Sequence, residues 1–329
     1  MLVPFILVCK PWRTSLASNQ DHCSYNMHKT FTIDHLNSLL IVLSCLIAYV
    51  LPFDLLIFSY AILGPAHYLT EISWLHDRKY FLKNHLDILL LAIASLIMFF
   101  FVGLYPLLIG FLICFLFLSA SSVSPVNKWL LTGIYGLPLL AFSITPGMIA
   151  IIALLPTLIH VYLFTAGFML MGALKNNNSA GIWSFILLMI CGLSFFLPFL
   201  QPFAYTSSYT TGINYALANI YSNPINLLNL TETEDLVRRF AGFASFAYTY
   251  HYLNWFTKTK IIKWNQISPA RLYFIGLLYL FSVGVYFYNY ILGLQLLFFL
   301  SFIHVILELP LNAICFTEIS RLIKARYKT

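Results

Sequence analysis

The sequence predicts an all-α integral membrane protein, a polytopic helical bundle of about ten transmembrane helices with both termini in the cytoplasm. Of its 329 residues 60% are hydrophobic and only 9% are charged, whereas ordinary soluble domains are about 25% charged. The mean hydropathy is +0.85, and the apolar runs continue for about 20 residues, the length of helix that crosses a bilayer. Because polar and apolar residues do not alternate within these runs, a β-barrel is not expected.

The predicted spans are apolar runs separated by short polar connections. Proline and asparagine mark several of the ends, as in the connections at 124–127 and 175–178. In chain order the spans cover residues 31–52, 54–75, 86–104, 105–122, 128–145, 147–173, 182–203, 236–256, 272–291 and 292–316.

These spans divide the chain into three parts. Residues 1–30 are expected to be an interfacial or disordered lead, and residues 31–316 a single transmembrane domain. Residues 204–235 form the one long external crossover of that domain, and residues 317–329 form a basic cytoplasmic tail.

The basic residues predict the orientation. With ten spans, all of the 18 lysines and arginines except Arg238 and Arg239 fall on one side of the membrane, which the positive-inside rule makes cytoplasmic. The two exceptions are expected to pair locally with Glu232, Glu234 and Asp235. The net charge of +7 therefore indicates contact with anionic lipid headgroups, and no nucleic-acid partner is expected. We expect a multi-pass protein of a bacterial inner (plasma) membrane.

Two predicted spans carry a histidine and a glutamate four residues apart. These pairs are His67 with Glu71 and His304 with Glu308, and the spacing places each pair on one helix face. Gly64 and the following proline precede His67 and are expected to kink that helix. Ionisable groups at membrane depth are costly and face the bundle interior, so they indicate a functional site.

Two further histidines, His160 and His251, lie in other predicted spans at a similar depth, within a layer roughly 15–20 Å thick. Imidazole with carboxylate suits iron, zinc, copper or manganese, and several histidines with one or two glutamates suit non-haem iron best. Because a di-iron site uses more carboxylates than the two seen here, the pattern favours a single ion. The predicted ligands are His67, His160, His251 and His304, with Glu71 and Glu308 as catalytic carboxylates that orient the imidazoles through their second nitrogens.

Four other residues are candidates for supporting roles around this site. His35 lies one turn inside the first span, and Tyr250, Asn254 and Trp255 lie beside His251. They are expected to support the ligands or to line a substrate channel. For the aromatic residues around His251, an anchoring belt at the membrane interface is the alternative.

The segment Gly64-Pro65-Ala66-His67-Tyr68-Leu69-Thr70-Glu71 resembles the early-helix motif of the Brp/Blh family of membrane β-carotene 15,15'-dioxygenases. In that family a buried, histidine-coordinated iron cleaves the central double bond of β-carotene with O₂ and gives two retinal molecules. The resemblance implies that His67 is an iron ligand, with His251 and His304 as its companions.

The sequence therefore predicts a membrane-embedded non-haem iron oxygenase that uses O₂ on a long apolar substrate, such as a carotenoid or another polyprenoid lipid. Two alternatives from other classes stay open. The same histidines and glutamates suit a proton relay in a membrane transporter or flippase, and a non-catalytic membrane protein would use them as interhelical hydrogen bonds.

Overall fold

The computed structural model describes residues 16–78, 160–203 and 233–326, and every regular element within these ranges is helical. The all-α prediction is therefore confirmed for the described residues. In chain order the α-helices are α1 Leu16–Val50, α2 Pro52–Phe58, α3 Gly64–Arg78, α4 Thr165–Lys175, α5 Ser179–Ser194, α6 Thr233–Thr257, α7 Thr259–Ile262, α8 Pro269–Tyr288 and α9 Tyr290–Arg326. Two π-helical turns, Ser59–Leu63 and His160–Phe164, lead into α3 and α4.

Three described helical segments are long and apolar enough to cross a membrane: Ile33–Val50, Pro52–Arg78 and Pro269–Tyr288. They coincide with the first, second and ninth predicted spans and indicate that the protein associates with a membrane. The predicted spans 86–104, 105–122 and 128–145 lie outside the described residues, as does most of the crossover 204–235. The count of ten spans and the sidedness of the termini therefore stay predictions.

Several element boundaries differ from those expected. Helix α1 begins at Leu16, inside the predicted lead, and α9 continues to Arg326, inside the predicted tail. Neither polar extension contains glycine or proline, so nothing in them stops a helix that is already nucleated. Conversely, α5 ends at Ser194 although its apolar run continues to residue 203, because prolines at 198 and 202 interrupt the helix.

The backbone widens just before His67, where the sequence predicts a kink. Pro65 has no N–H group to donate to the carbonyl one turn earlier. The chain instead forms a π-helical turn, in which the N–H of Gly64 donates to the carbonyl of Ser59 five residues back. The second π-helical turn starts at His160 itself. Turns of this kind occur frequently at functional sites.

Helix α6 is the central element of the described bundle. It packs against α1 and α2 and contacts α3, α5 and both π-helical turns. Ala241, Ala244, Phe246 and Tyr252 of this helix are fully buried.

The outside of the described bundle is apolar. Large apolar side chains cover the outer faces of α1, α5 and α8, where Trp183 is 68% exposed. A polar interior inside an apolar surface is the arrangement expected in lipid.

Arg239 on α6 holds the turns that follow α5. Its Nε donates to Asp235 Oδ2 at 2.8 Å, and its Nη1 donates to the carbonyls of Leu197 at 2.5 Å and Leu200 at 2.8 Å. Arg239 is buried, so the paired carboxylate and the carbonyls replace its lost hydration. The local pairing predicted at this end of the helix is confirmed for Arg239 and Asp235.

Candidate metal centre

Four buried histidines meet in the interior, each from a different segment of the chain. His67 lies on α3, His160 opens the second π-helical turn, His251 lies on α6 and His304 on α9. None is more than 8% exposed. The four rings form a closed cycle of neighbours. The distances between ring centroids are 4.6 Å for His67–His251, 5.5 Å for His251–His160, 5.0 Å for His160–His304 and 5.3 Å for His304–His67. The structure thus brings together all four predicted ligands.

The Nε2 atoms of these rings face each other in pairs. The Nε2 atoms of His67 and His251 are 3.0 Å apart, and those of His304 and His160 are 3.2 Å apart. Two nitrogen ligands at about 2.1 Å from one ion and at right angles to each other are about 3.0 Å apart. The spacing therefore fits metal ligation as well as it fits a hydrogen bond.

Each glutamate lies on the ligand side of a buried histidine, which is His67 for Glu71 and His160, from another segment of the chain, for Glu308. Glu71 Oε2 is 2.9 Å from His67 Nε2, and Glu308 Oε2 is 2.9 Å from His160 Nε2. These are the same nitrogens that face the partner histidines, whereas the sequence predicts that both carboxylates lie behind the imidazoles. Neither Oε2 atom has a hydrogen-bond partner among the described residues. A buried carboxylate without such a partner is costly, so each is positioned to bind a cation directly.

Thr165 sets the proton position on His251. Its hydroxyl donates to the carbonyl of Val161 at 2.6 Å and lies 2.7 Å from His251 Nδ1. Because the hydroxyl proton is committed to the carbonyl, the oxygen accepts the Nδ1–H of the imidazole. The lone pair of His251 is then on Nε2, where it faces His67 and can bind a metal.

Trp255 packs against His67 and is held in place by Thr70. The indole ring of Trp255 stands edge-on to the imidazole, with centroids 5.5 Å apart. Its Nε1 donates to Thr70 Oγ1 at 3.0 Å, and Thr70 Oγ1 donates to the carbonyl of Ala66 at 2.7 Å. Trp255 therefore contacts the site, as the sequence predicts.

Two tyrosine rings pack against the imidazoles. The ring of Tyr68 stacks on His304 with centroids 4.6 Å apart, and the ring of Tyr252 lies 4.9 Å from His67. Their hydroxyl groups are hydrogen-bonded to each other. Each tyrosine directly follows a site histidine in the sequence, but the spacing rule of one helix turn selects neither of them.

The structure does not bring the other predicted residues to the imidazoles. His35 is exposed on α1. Tyr250 is buried, but its hydroxyl donates to the sulfur of Met169 on α4 at 3.2 Å. Asn254 is buried, and its Oδ1 has no hydrogen-bond partner among the described residues.

The burial of Tyr250, Tyr252 and Trp255 argues against an anchoring belt at the membrane interface, because the rings of such a belt would face the lipid.

Comparison of the chain with family models, curated proteins and solved structures gives no match. Within the described residues, the groups close enough to share an ion are His67, Glu71, His251 and His304, and separately His160, His304 and Glu308.

Proposed function

We propose that the protein is a membrane-embedded, metal-dependent oxygenase that acts on a long apolar substrate, with carotenoids and other polyprenoids as first candidates. The observation that carries this proposal is the convergence of buried imidazoles and carboxylates from distant segments of the chain. Two histidines with one carboxylate and open positions are typical of non-haem Fe(II) oxygenases. We therefore propose Fe(II) as the metal.

The surroundings of the donors support an apolar substrate. The rings of Tyr68, Tyr252 and Trp255 flank the imidazoles, and aromatic faces pack well against conjugated hydrocarbon. The exposed surface of the spanning helices is apolar, so a lipid-soluble substrate would approach from the bilayer. A ten-span topology with cytoplasmic termini in a bacterial inner membrane belongs to the same proposal.

The proposed reaction is the oxidative cleavage of a carbon–carbon double bond. Both atoms of O₂ add to the two carbons, the bond between these carbons breaks, and each carbon leaves as a carbonyl, so no external reductant is needed. Bound iron supplies the activation of O₂. The chain holds the imidazoles in position through Thr165 and through the packing of Tyr68 and Trp255, and the burial of the donors excludes water.

Iron content and product formation test this proposal together. Detergent-purified protein is expected to retain iron, as measured by elemental analysis, and to form aldehydes from β-carotene in the presence of O₂. His67→Ala and His304→Ala are each expected to lower the amount of bound iron and to abolish activity, whereas the exposed-site control His35→Ala keeps both. Wild-type protein that binds no metal after loading with Fe(II) would overturn the proposal.

A proton-coupled transporter or flippase is the second candidate, and one observation favours it. Asn312 lies one helix turn beyond Glu308 on α9 and is fully buried, and neither of its side-chain polar atoms has a partner among the described residues. Buried polar groups that continue from a carboxylate suit a proton path. A metal-free protein whose substrate movement changes its pH dependence in Glu71→Gln or Glu308→Gln would establish this function instead.

A further inference from the structure

The donors divide into two triads of the same composition. Each triad combines one histidine–glutamate pair with one histidine from another segment. The first triad is His67, Glu71 and His251, and the second triad is His304, Glu308 and His160.

The two triads also share the same geometry. In each, one central Nε2 atom faces both the Nε2 of the other histidine and an Oε2 of the glutamate. For His67 these distances are 3.0 Å and 2.9 Å. For His160 they are 3.2 Å and 2.9 Å. Neighbouring ligands of an octahedral metal at about 2.1 Å from the ion have this spacing of about 3.0 Å.

One ion cannot reach both triads in the observed arrangement. Atoms bound to one ion at about 2.1 Å lie within about 4.2 Å of one another. The donors that lie within 4.8 Å of one another form two overlapping groups, and only His304 belongs to both. Since Nε2 of an imidazole has a single lone pair, His304 binds one ion, and its 3.2 Å approach to His160 places it with the second triad.

The triads are adjacent rather than separate sites. The ring of His67 in the first triad is 5.3 Å from that of His304 in the second, and the ring of His251 is 5.5 Å from that of His160. Each triad also contains its own buried Oε2 atom without a hydrogen-bond partner among the described residues. Each carboxylate is therefore positioned to bind a cation of its own.

We propose that the protein holds a dinuclear metal centre, with one divalent first-row ion in each triad. This inference rests on the proposed function, in which the same donors hold a metal. It differs from the single ion that the small number of carboxylates favours, because the structure gives each ion a complete set of two histidines and one carboxylate.

Metal stoichiometry in matched variants tests the dinuclear centre. Full-length protein in detergent is stripped with a chelator and loaded anaerobically with Fe(II), and the bound iron is counted per chain. Wild type and His35→Ala are expected to bind two ions. Glu71→Gln and Glu308→Gln are each expected to lose one ion and keep the other, and the double variant is expected to lose both.

The outcomes separate this inference from the proposed function. One ion in the wild type, lost in both single variants, would overturn the dinuclear centre and leave a metal-dependent enzyme in place. No bound ion would overturn both. Two ions that persist in both single variants would show that iron binds elsewhere, and would also overturn the dinuclear centre.

A measurement on the wild type alone covers the case in which the variants fail to fold. Protein loaded with Mn(II) is expected to give the electron paramagnetic resonance spectrum of two exchange-coupled ions. A spectrum of isolated Mn(II) at full loading would contradict a shared centre.

Discussion

At the scale of single residues, the imidazoles depend on neighbours that fix their protons. Thr165 Oγ1 lies 2.7 Å from His251 Nδ1 and donates its own hydrogen bond to the carbonyl of Val161. This arrangement leaves Nε2 of His251 available on the side where His67 lies. The tautomer that the proposed metal site requires is therefore selected by Thr165 alone.

Replacing Thr165 by the isosteric valine tests this role. Thr165→Val removes the acceptor for Nδ1–H and is expected to weaken metal binding about 10–100-fold, the usual effect of losing a group that orients a ligand. Thr165→Ser keeps the hydroxyl and serves as the control. Metal retention against increasing chelator measures the change, and equal retention in Thr165→Val and wild type would contradict the assigned tautomer.

Glu318, beyond the predicted spans, forms a pH-dependent ion pair within α9 and a second one to α4. Arg321 donates to both of its oxygens at 2.8 Å, and Lys175 lies 3.4 Å away. The hydrogen bonds from Arg321, followed by the charge of Lys175, lower the pKa of Glu318 from 4.5 to about 2. The stabilisation is therefore complete above the unfolded-state pKa and is lost as the pH falls through the folded-state pKa.

Thermal unfolding as a function of pH tests this contact. Solvent screening limits its contribution to about 1 kcal/mol. Wild type is expected to lose this amount between pH 4.5 and about pH 2, and Glu318→Gln is expected to lack that part of the pH dependence. Parallel profiles for the two proteins would contradict the assignment.

At the scale of elements, close helix packing depends on small residues at particular positions. Gly192 on α5 lies against the hydroxyl of Tyr162, which donates to the carbonyl of Leu188 at 3.0 Å. Any side chain at Gly192 would overlap that hydroxyl. Small residues at such interfaces let helices approach closely in membranes.

A pair of alanine substitutions tests this packing. Gly192→Ala is expected to destabilise the protein by about 1–3 kcal/mol, because Tyr162 must move and lose its hydrogen bond. Gly284→Ala on α8 is the control, since a methyl group there meets nothing within 4 Å. It is expected to be neutral or slightly stabilising, because alanine favours helix. Equal thermal unfolding temperatures for the two variants would show that α5 does not pack this closely.

At the scale of the whole molecule, the distribution of polarity is reversed relative to a soluble protein. The buried layer contains histidine and glutamate, while leucine, phenylalanine and tryptophan cover the outside. Where lipid replaces water at that surface, the buried polar groups depend on one another for hydrogen bonds. This arrangement protects the buried histidines and glutamates from water.

The predicted sidedness of the molecule can be measured with reporter fusions. A reporter that is active only in the cytoplasm is expected to be active after Thr329 and inactive when inserted between residues 204 and 232. The basis is the concentration of lysine and arginine in connections on one predicted side. The opposite pattern would show that the ten-span count or the orientation is wrong.

Much of the site follows from local pattern. Hydropathy identifies the membrane class, because apolar runs of about 20 residues are long enough to cross a bilayer. The spacing of His67 with Glu71, and of His304 with Glu308, places each pair on one helix face before any tertiary contact is known. The sequence also marks His160 and His251, because an imidazole within an apolar run requires a polar partner.

The amino-acid sequence thus determined the helical membrane class and the residues of the candidate metal centre, since both depend on neighbours within a few turns. Only the tertiary structure decided which donors meet. His67 pairs with His251 across 184 positions and His160 with His304 across 144, and His35 is left exposed. Helix packing sets these distances, and neither hydropathy nor spacing along one helix contains that information.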